Sequence, residues 1–113
     1  MRKISSGSVT VFFPEFSREE LVDRLRGFMP ALQDALPVRR VVLFGSWAKG
    51  RATAFSDIDL MVIYDDPPRE DAFKLVRTAV PMIGIEPHIY TEAEAASLRK
   101  TLDAMTKDGV ELL

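Results

Sequence analysis

Gly45-Ser46-Trp47-Ala48-Lys49-Gly50-Arg51-Ala52-Thr53-Ala54-Phe55-Ser56-Asp57-Ile58-Asp59 is the stretch whose reading decides the fold. On its N-terminal side, Val38 to Phe44 reads as a strand. Its Val41-Val42-Leu43-Phe44 is apolar at every position, which predicts burial on both faces. On the other side, Asp57 to Tyr64 starts polar and becomes wholly apolar, which predicts a second strand. The link from Phe44 to Asp57 is too short for a crossover helix. The two strands are therefore predicted to be neighbours, antiparallel or mixed in sense.

Working outward, Val9 to Phe13 is a β-branched and aromatic run stopped by Pro14, the pattern of an edge strand. Ser17-Arg18-Glu19-Glu20 has capping-box spacing and opens a helix that buries Leu21, Leu25, Phe28, Leu32 and Leu36. Pro30 lies inside that pattern, so a kink or break is expected near Gly27 to Pro30. Asp65-Asp66-Pro67-Pro68 reads as a turn. Helix is predicted from about Arg69 to Ile83, with Ala72, Val76, Ala79 and Ile83 on one side. Ile85 to Tyr90 is a further short strand. Thr91-Glu92-Ala93-Glu94 is a second capping box, and the helix it opens has Ala95, Leu98, Leu102 and Met105 on its inner face. Gly109 closes that helix, and Val110 to Leu113 either completes the sheet or pairs with another chain, as the Val9 to Phe13 edge could. The fold class is α/β (α+β): a small mixed sheet with helices mainly on one face.

The chain has 113 residues, the size of one small domain, and residues 1–113 are read as a single domain. An apolar fraction of 47% predicts a folded globule. With no cysteine, disulfides and thiolate metal sites are excluded. No apolar stretch is long enough for a signal peptide or a membrane span, so a cytoplasmic protein without membrane association is expected. The net charge of −2 argues against a general nucleic-acid binder, which needs a strong positive field.

The linking stretch carries chemistry of its own. Gly45 follows a buried strand where the chain must turn, and a residue without a Cβ lets backbone N–H groups approach an anion. Ser46 is placed at the N-cap of a short helical turn through Trp47, Ala48 and Lys49, whose free amides favour phosphate. Lys49 and Arg51 can neutralise phosphate oxygens, or stand as ordinary solvated charges. Asp57 and Asp59, two apart on a strand, share a face with Cα atoms ~6.6 Å apart. Their carboxylates suit a hard cation such as Mg²⁺, and two ions roughly 3.5–4 Å apart would fit there. Two carboxylates beside Met61 and Ile63 are costly unless cations compensate them.

Leu43-Phe44-Gly45-Ser46-Trp47-Ala48-Lys49-Gly50-Arg51, followed by Ser56-Asp57-Ile58-Asp59-Leu60, resembles the signature of the DNA polymerase β-type nucleotidyltransferase superfamily. Within it, the string is most similar to the minimal nucleotidyltransferases, and the resemblance runs from about Val9 to the C-terminus. It implies the nucleotidyltransferase fold and Mg²⁺-dependent transfer of a nucleoside monophosphate from ATP or another NTP, with pyrophosphate released. It further implies that Gly45 and Ser46 grip the phosphates and that Asp57 and Asp59 hold both metals. Many proteins of this branch act as antitoxins to a HEPN-domain protein, and some transfer AMP to it.

The family has a third carboxylate on a later strand, as metal ligand and as aid in deprotonating the acceptor. Here that strand reads Ile85-Glu86-Pro87-His88-Ile89-Tyr90. Glu86 and His88 lie on one face of it and either could take the position. Glu86 has the matching chemistry, anionic and oxygen-donating. Pro87 implies an edge strand or a bulge. Trp47 reads as core rather than as a base-stacking platform, and Ser56 as a turn residue rather than an orienter of Asp57. Asp65 and Asp66 read as turn residues.

The leading functional expectation is an enzyme that nucleotidylates a protein partner, since a chain of this size leaves little room for a domain that would hold a small acceptor. The alternative is a catalytically silent antitoxin that masks its partner by contact. A detached domain of an RNA-modifying enzyme finds no basic stripe to support it.

Overall fold

The computed structural model describes residues 2–6, 9–13 and 17–113, the first two stretches as backbone alone. Arg2–Ser6 (β1) and Val9–Phe13 (β2) pair antiparallel in a ribbon of their own. The remaining strands are Val38–Phe44 (β3), Ile58–Tyr64 (β4), Ile85–Thr91 (β5) and Val110–Glu111 (β6). They form one mixed sheet in the order β5-β4-β3-β6. β3 pairs antiparallel with β4, as the short link requires, and β4 pairs parallel with β5. β6 pairs antiparallel with β3, so Val110 and Glu111 complete the sheet. Gly109 serves this pairing by its size: an added Cβ would overlap Val42 Cγ1 and crowd the Leu43 carbonyl.

The helix Arg18–Ala35 (α1) starts at the anticipated capping box. The Glu20 N–H donates to Ser17 Oγ at 3.1 Å, and the Ser17 N–H donates to Glu20 Oε1 at 3.1 Å. The helix runs without a break through Pro30, contrary to expectation. Leu21, Leu25, Met29 and Leu32 are buried on both sides of the proline, so packing holds the two halves in line despite the lost donor. The helix Ala72–Ala79 (α2) makes the β4-to-β5 crossover and is shorter than the predicted Arg69 to Ile83. Pro81 disfavours helix at Val80, and Ile83 is fully exposed instead of lying on the buried side.

The helix expected after Thr91 is two: Glu92–Ser97 (α3) and Arg99–Met105 (α4), broken at Leu98. The Ser97 hydroxyl donates to the Glu94 carbonyl at 2.8 Å, while the Leu98 N–H is shared between the Glu94 and Ala95 carbonyls. Side-chain competition of this kind ends helices, and Leu98 is left half-exposed where burial was predicted.

The main core lies between α1, α2 and one face of the sheet. There Leu21, Leu25, Leu32 and Val76 meet Val41, Leu43, Leu60 and Val62. A smaller cluster on the opposite face joins Val42, Phe44 and Met61 to Leu102 of α4, with Ile63 and Tyr90 at its edge. Strand alternation thus places Asp59 on this second face. No helix among the described residues is long and apolar enough to cross a membrane.

Candidate active site

Phe44 ends β3 opposite Asp59, so the chain leaving β3 turns beside the Asp59 carboxylate. Gly45 takes φ +76°, a conformation natural to glycine. A Cβ built on it would overlap Asp59 Oδ2, so the loop and the carboxylate fit as they stand only because that atom is missing. The turn closes through the Lys49 N–H to the Gly45 carbonyl (3.2 Å) and the Arg51 N–H to the Ser46 carbonyl (2.9 Å). It is the short helical turn anticipated and no longer, because a single bond of α-type spacing forms before the chain departs. Trp47 and Ala48, each 6% exposed, anchor the loop in the main core, which settles Trp47 as a packing residue. Ser46 is exposed, and its N–H has no partner among the described residues. Lys49 and Arg51 are exposed too, on the same turn.

The link returns through a turn closed by Ser56: the Thr53 N–H donates to Ser56 Oγ at 2.8 Å, the turn role predicted for it. Asp57 lies exposed just before β4, one residue outside the strand expected to include it. The Ile58 N–H then donates to the Gly84 carbonyl at 2.7 Å and sets the start of β4 against β5.

On β5, Glu86 is level with Asp59 and His88 with Met61, so the two share one face of the strand as predicted, and it is the face of Asp59. β5 is an edge strand without a register shift, which accommodates Pro87 with no bulge. Glu86 is exposed. The His88 ring packs edge-on against Phe44, with centroids 5.1 Å apart, and its Nε2 lies 3.6 Å from Asp59 Oδ1. Burial pushes the Asp59 carboxyl above the ordinary carboxylate range. His88 opposes that rise, while the charges of Asp57 and Glu86 add to it. Phe44 was read only as core, yet it walls the site; its register opposite Asp59 was the signal available.

Asp65 and Asp66 stay out of this site. Asp65 Oδ1 accepts from Arg39 Nε at 2.7 Å, and Asp66 Oδ2 accepts from the Ala93 N–H at 3.1 Å.

Among the described residues, no group of three His, Asp or Glu side chains is placed to hold a metal ion. Mg²⁺ usually takes one or two carboxylates, keeps waters and is completed by substrate phosphates. Asp59 beside the glycine turn and Glu86 level with it on the same face are oxygen donors of the kind magnesium takes, and the open Ser46 amide is a donor of the kind a phosphate takes.

The family model described as nucleotidyltransferase domain matches residues 22–108. A candidate protein adenylyltransferase from Methanocaldococcus jannaschii is 32% identical over 76 residues, covering 65% of this chain and 76% of that protein. A candidate nucleotidyltransferase from Sulfolobus solfataricus superposes with a TM-score of 0.55 at 19% identity, over 83% of this chain and 80% of its own. A toxin–antitoxin complex crystallised with AMP-PNP gives 0.56 at 21% identity, over 78% and 72%. A variant of the MntA–HpeT toxin–antitoxin pair gives 0.51 at 18%, over 87% and 73%. With the family model spanning most of its length and the mixed sheet matching these folds, the chain belongs to the nucleotidyltransferase domain family.

Proposed function

We propose that this chain transfers AMP from ATP to a hydroxyl of a protein acceptor, a HEPN-domain toxin, and so acts as its antitoxin. The observation that carries the reading is the interlock of the Gly45 turn with the Asp59 carboxylate, with Glu86 level beside it. Asp57, Asp59 and Glu86 would hold Mg²⁺, which when bound offsets charge on the triphosphate and on the departing pyrophosphate. The Ser46 N–H and hydroxyl, Lys49 and Arg51 receive the phosphate oxygens. The acceptor oxygen forms a bond to the α-phosphorus as the bond from that phosphorus to the bridging α,β-oxygen breaks. The hydroxyl proton passes to Glu86, whose exposed carboxylate is open to an incoming acceptor.

A protein acceptor is supported by the relative named as a candidate protein adenylyltransferase and by the toxin–antitoxin neighbours, one of them with AMP-PNP. The test is incubation with α-labelled ATP, Mg²⁺ and the HEPN protein, followed by gel autoradiography. Label on the partner that falls at least ~100-fold with Asp57→Asn supports transfer, since losing about 3 kcal/mol of charge stabilisation costs that much. Tight partner binding with no label in either protein refutes it in favour of masking by contact.

A further inference from the structure

His88 is not used by the chemistry above, yet its placement is specific. Its Cα is level with Met61, but its ring reaches back across β4, toward the start of the strands. The ring rests edge-on against Phe44 of β3, at an interplanar angle of 61°. Its Nε2 is buried and has no hydrogen-bond partner among the described residues. A buried ring nitrogen left so is costly, and Asp59 Oδ1 stands 3.6 Å away. The other oxygen of that carboxylate, Oδ2, abuts Gly45. Asp59 is therefore bracketed, one oxygen by the glycine turn and the other by the imidazole.

We propose that His88 is a positioning residue for Asp59: its Nε2–H closes onto Oδ1 when a cation and nucleotide bind, fixing the carboxylate in the orientation that binds them. Ligating carboxylates are commonly held in this way by a hydrogen bond from behind, and loss of such a partner costs about 10–100-fold in metal affinity. The inference rests on Asp59 being a metal ligand. It also separates the two candidates of β5, for the His88 nitrogen is turned inward while Glu86 remains open.

The experiment is titration of the full chain with Mn²⁺ in the presence of AMP-PNP, followed by electron paramagnetic resonance. Thermal midpoints of the metal-free proteins serve as the control for folding. His88→Phe keeps the ring contact and removes the donor, His88→Leu removes both, and His88→Gln keeps a donor of similar reach. Expected is Mn²⁺ binding weakened about 10–100-fold in whichever donorless variant retains its fold, with His88→Gln close to the parent protein. Donorless variants that bind like the parent overturn the role of His88 while leaving the Asp59 site standing. Absence of Mn²⁺ binding in the parent protein overturns both. His88→Gln as weak as the donorless variants overturns the hydrogen bond as the cause.

Discussion

Replacing Gly45 by alanine tests the interlock on which the site depends. Two costs arise, and the structure separates them. The first is the backbone: φ +76° in a residue with a Cβ costs about 1–2 kcal/mol. The second is the overlap of that Cβ with Asp59 Oδ2, which must rotate off its preferred conformer at about 0.5–1.5 kcal/mol. Together they predict a loss of about 1.5–3.5 kcal/mol. For 113 residues, at roughly 2.1 cal/mol/K each, the unfolding entropy is about 0.24 kcal/mol/K, so the midpoint should fall by about 6–15 °C. Urea denaturation and calorimetry would measure both. In an Asp59→Ala background the carboxylate is gone and the nearest side-chain atom left at that position is Cβ at 3.5 Å, an ordinary contact. There Gly45→Ala should cost only the backbone share, leaving a coupling of about 0.5–1.5 kcal/mol between the two sites. Equal costs in both backgrounds would refute the interlock, and a Gly45→Ala protein as stable as its parent would refute the strained turn as well.

Asp59→Asn should raise the thermal midpoint of the metal-free protein at neutral pH. Because burial holds the carboxyl above its ordinary range, the fold favours the protonated form; that advantage is complete below the ordinary carboxylate pKa of about 4 and lost as pH climbs past the raised value. The gain from Asn should therefore shrink toward pH 3–4, and scanning calorimetry at several pH values would show a constant difference if the charge were not the cause. Trp47→Ala should cost about 3–5 kcal/mol, because the side chain is 6% exposed in the core. As the chain's one tryptophan, Trp47 should also emit at blue-shifted wavelength, and red emission in the native protein would contradict its burial. Thr91→Ala removes a fully buried cap whose hydroxyl accepts from the Glu94 N–H at 3.2 Å, and should cost about 1–2 kcal/mol in urea unfolding. A change within 0.3 kcal/mol, roughly the limit of additivity experiments, would show the box to be dispensable.

What was legible in the sequence is what period and capping encode. Val38 to Phe44 reads as a strand doubly buried because it is an inner strand of the sheet, and both capping boxes form because each is a local exchange of two hydrogen bonds. What misled was decided by partners distant in the chain or by local competition the period does not report. Pro30 breaks nothing because Leu25 and Met29 before it and Leu32 after it are held by the same core. Ile83 matched the helical period, but Pro81 had already ended the helix. Leu98 fell out of register because the Ser97 hydroxyl took a carbonyl from the helix.

Ten residues separate the two halves of the motif, and the hairpin of β3 and β4 explains why they work as one. Their register sets Phe44 against Asp59, which brings Gly45, the next residue, beside that carboxylate. A slip of one residue would turn Asp59 toward Leu60's side of the sheet, into the core beneath α1 and α2, and would carry Leu60 out to face the anion turn. The apolar alternation that fixes this register, Ile58, Leu60 and Val62 inward against Val41 and Leu43, is therefore also what aims the carboxylate. Here the packing pattern and the chemistry are a single constraint, since the residues that fill the main core decide which face Asp59 occupies.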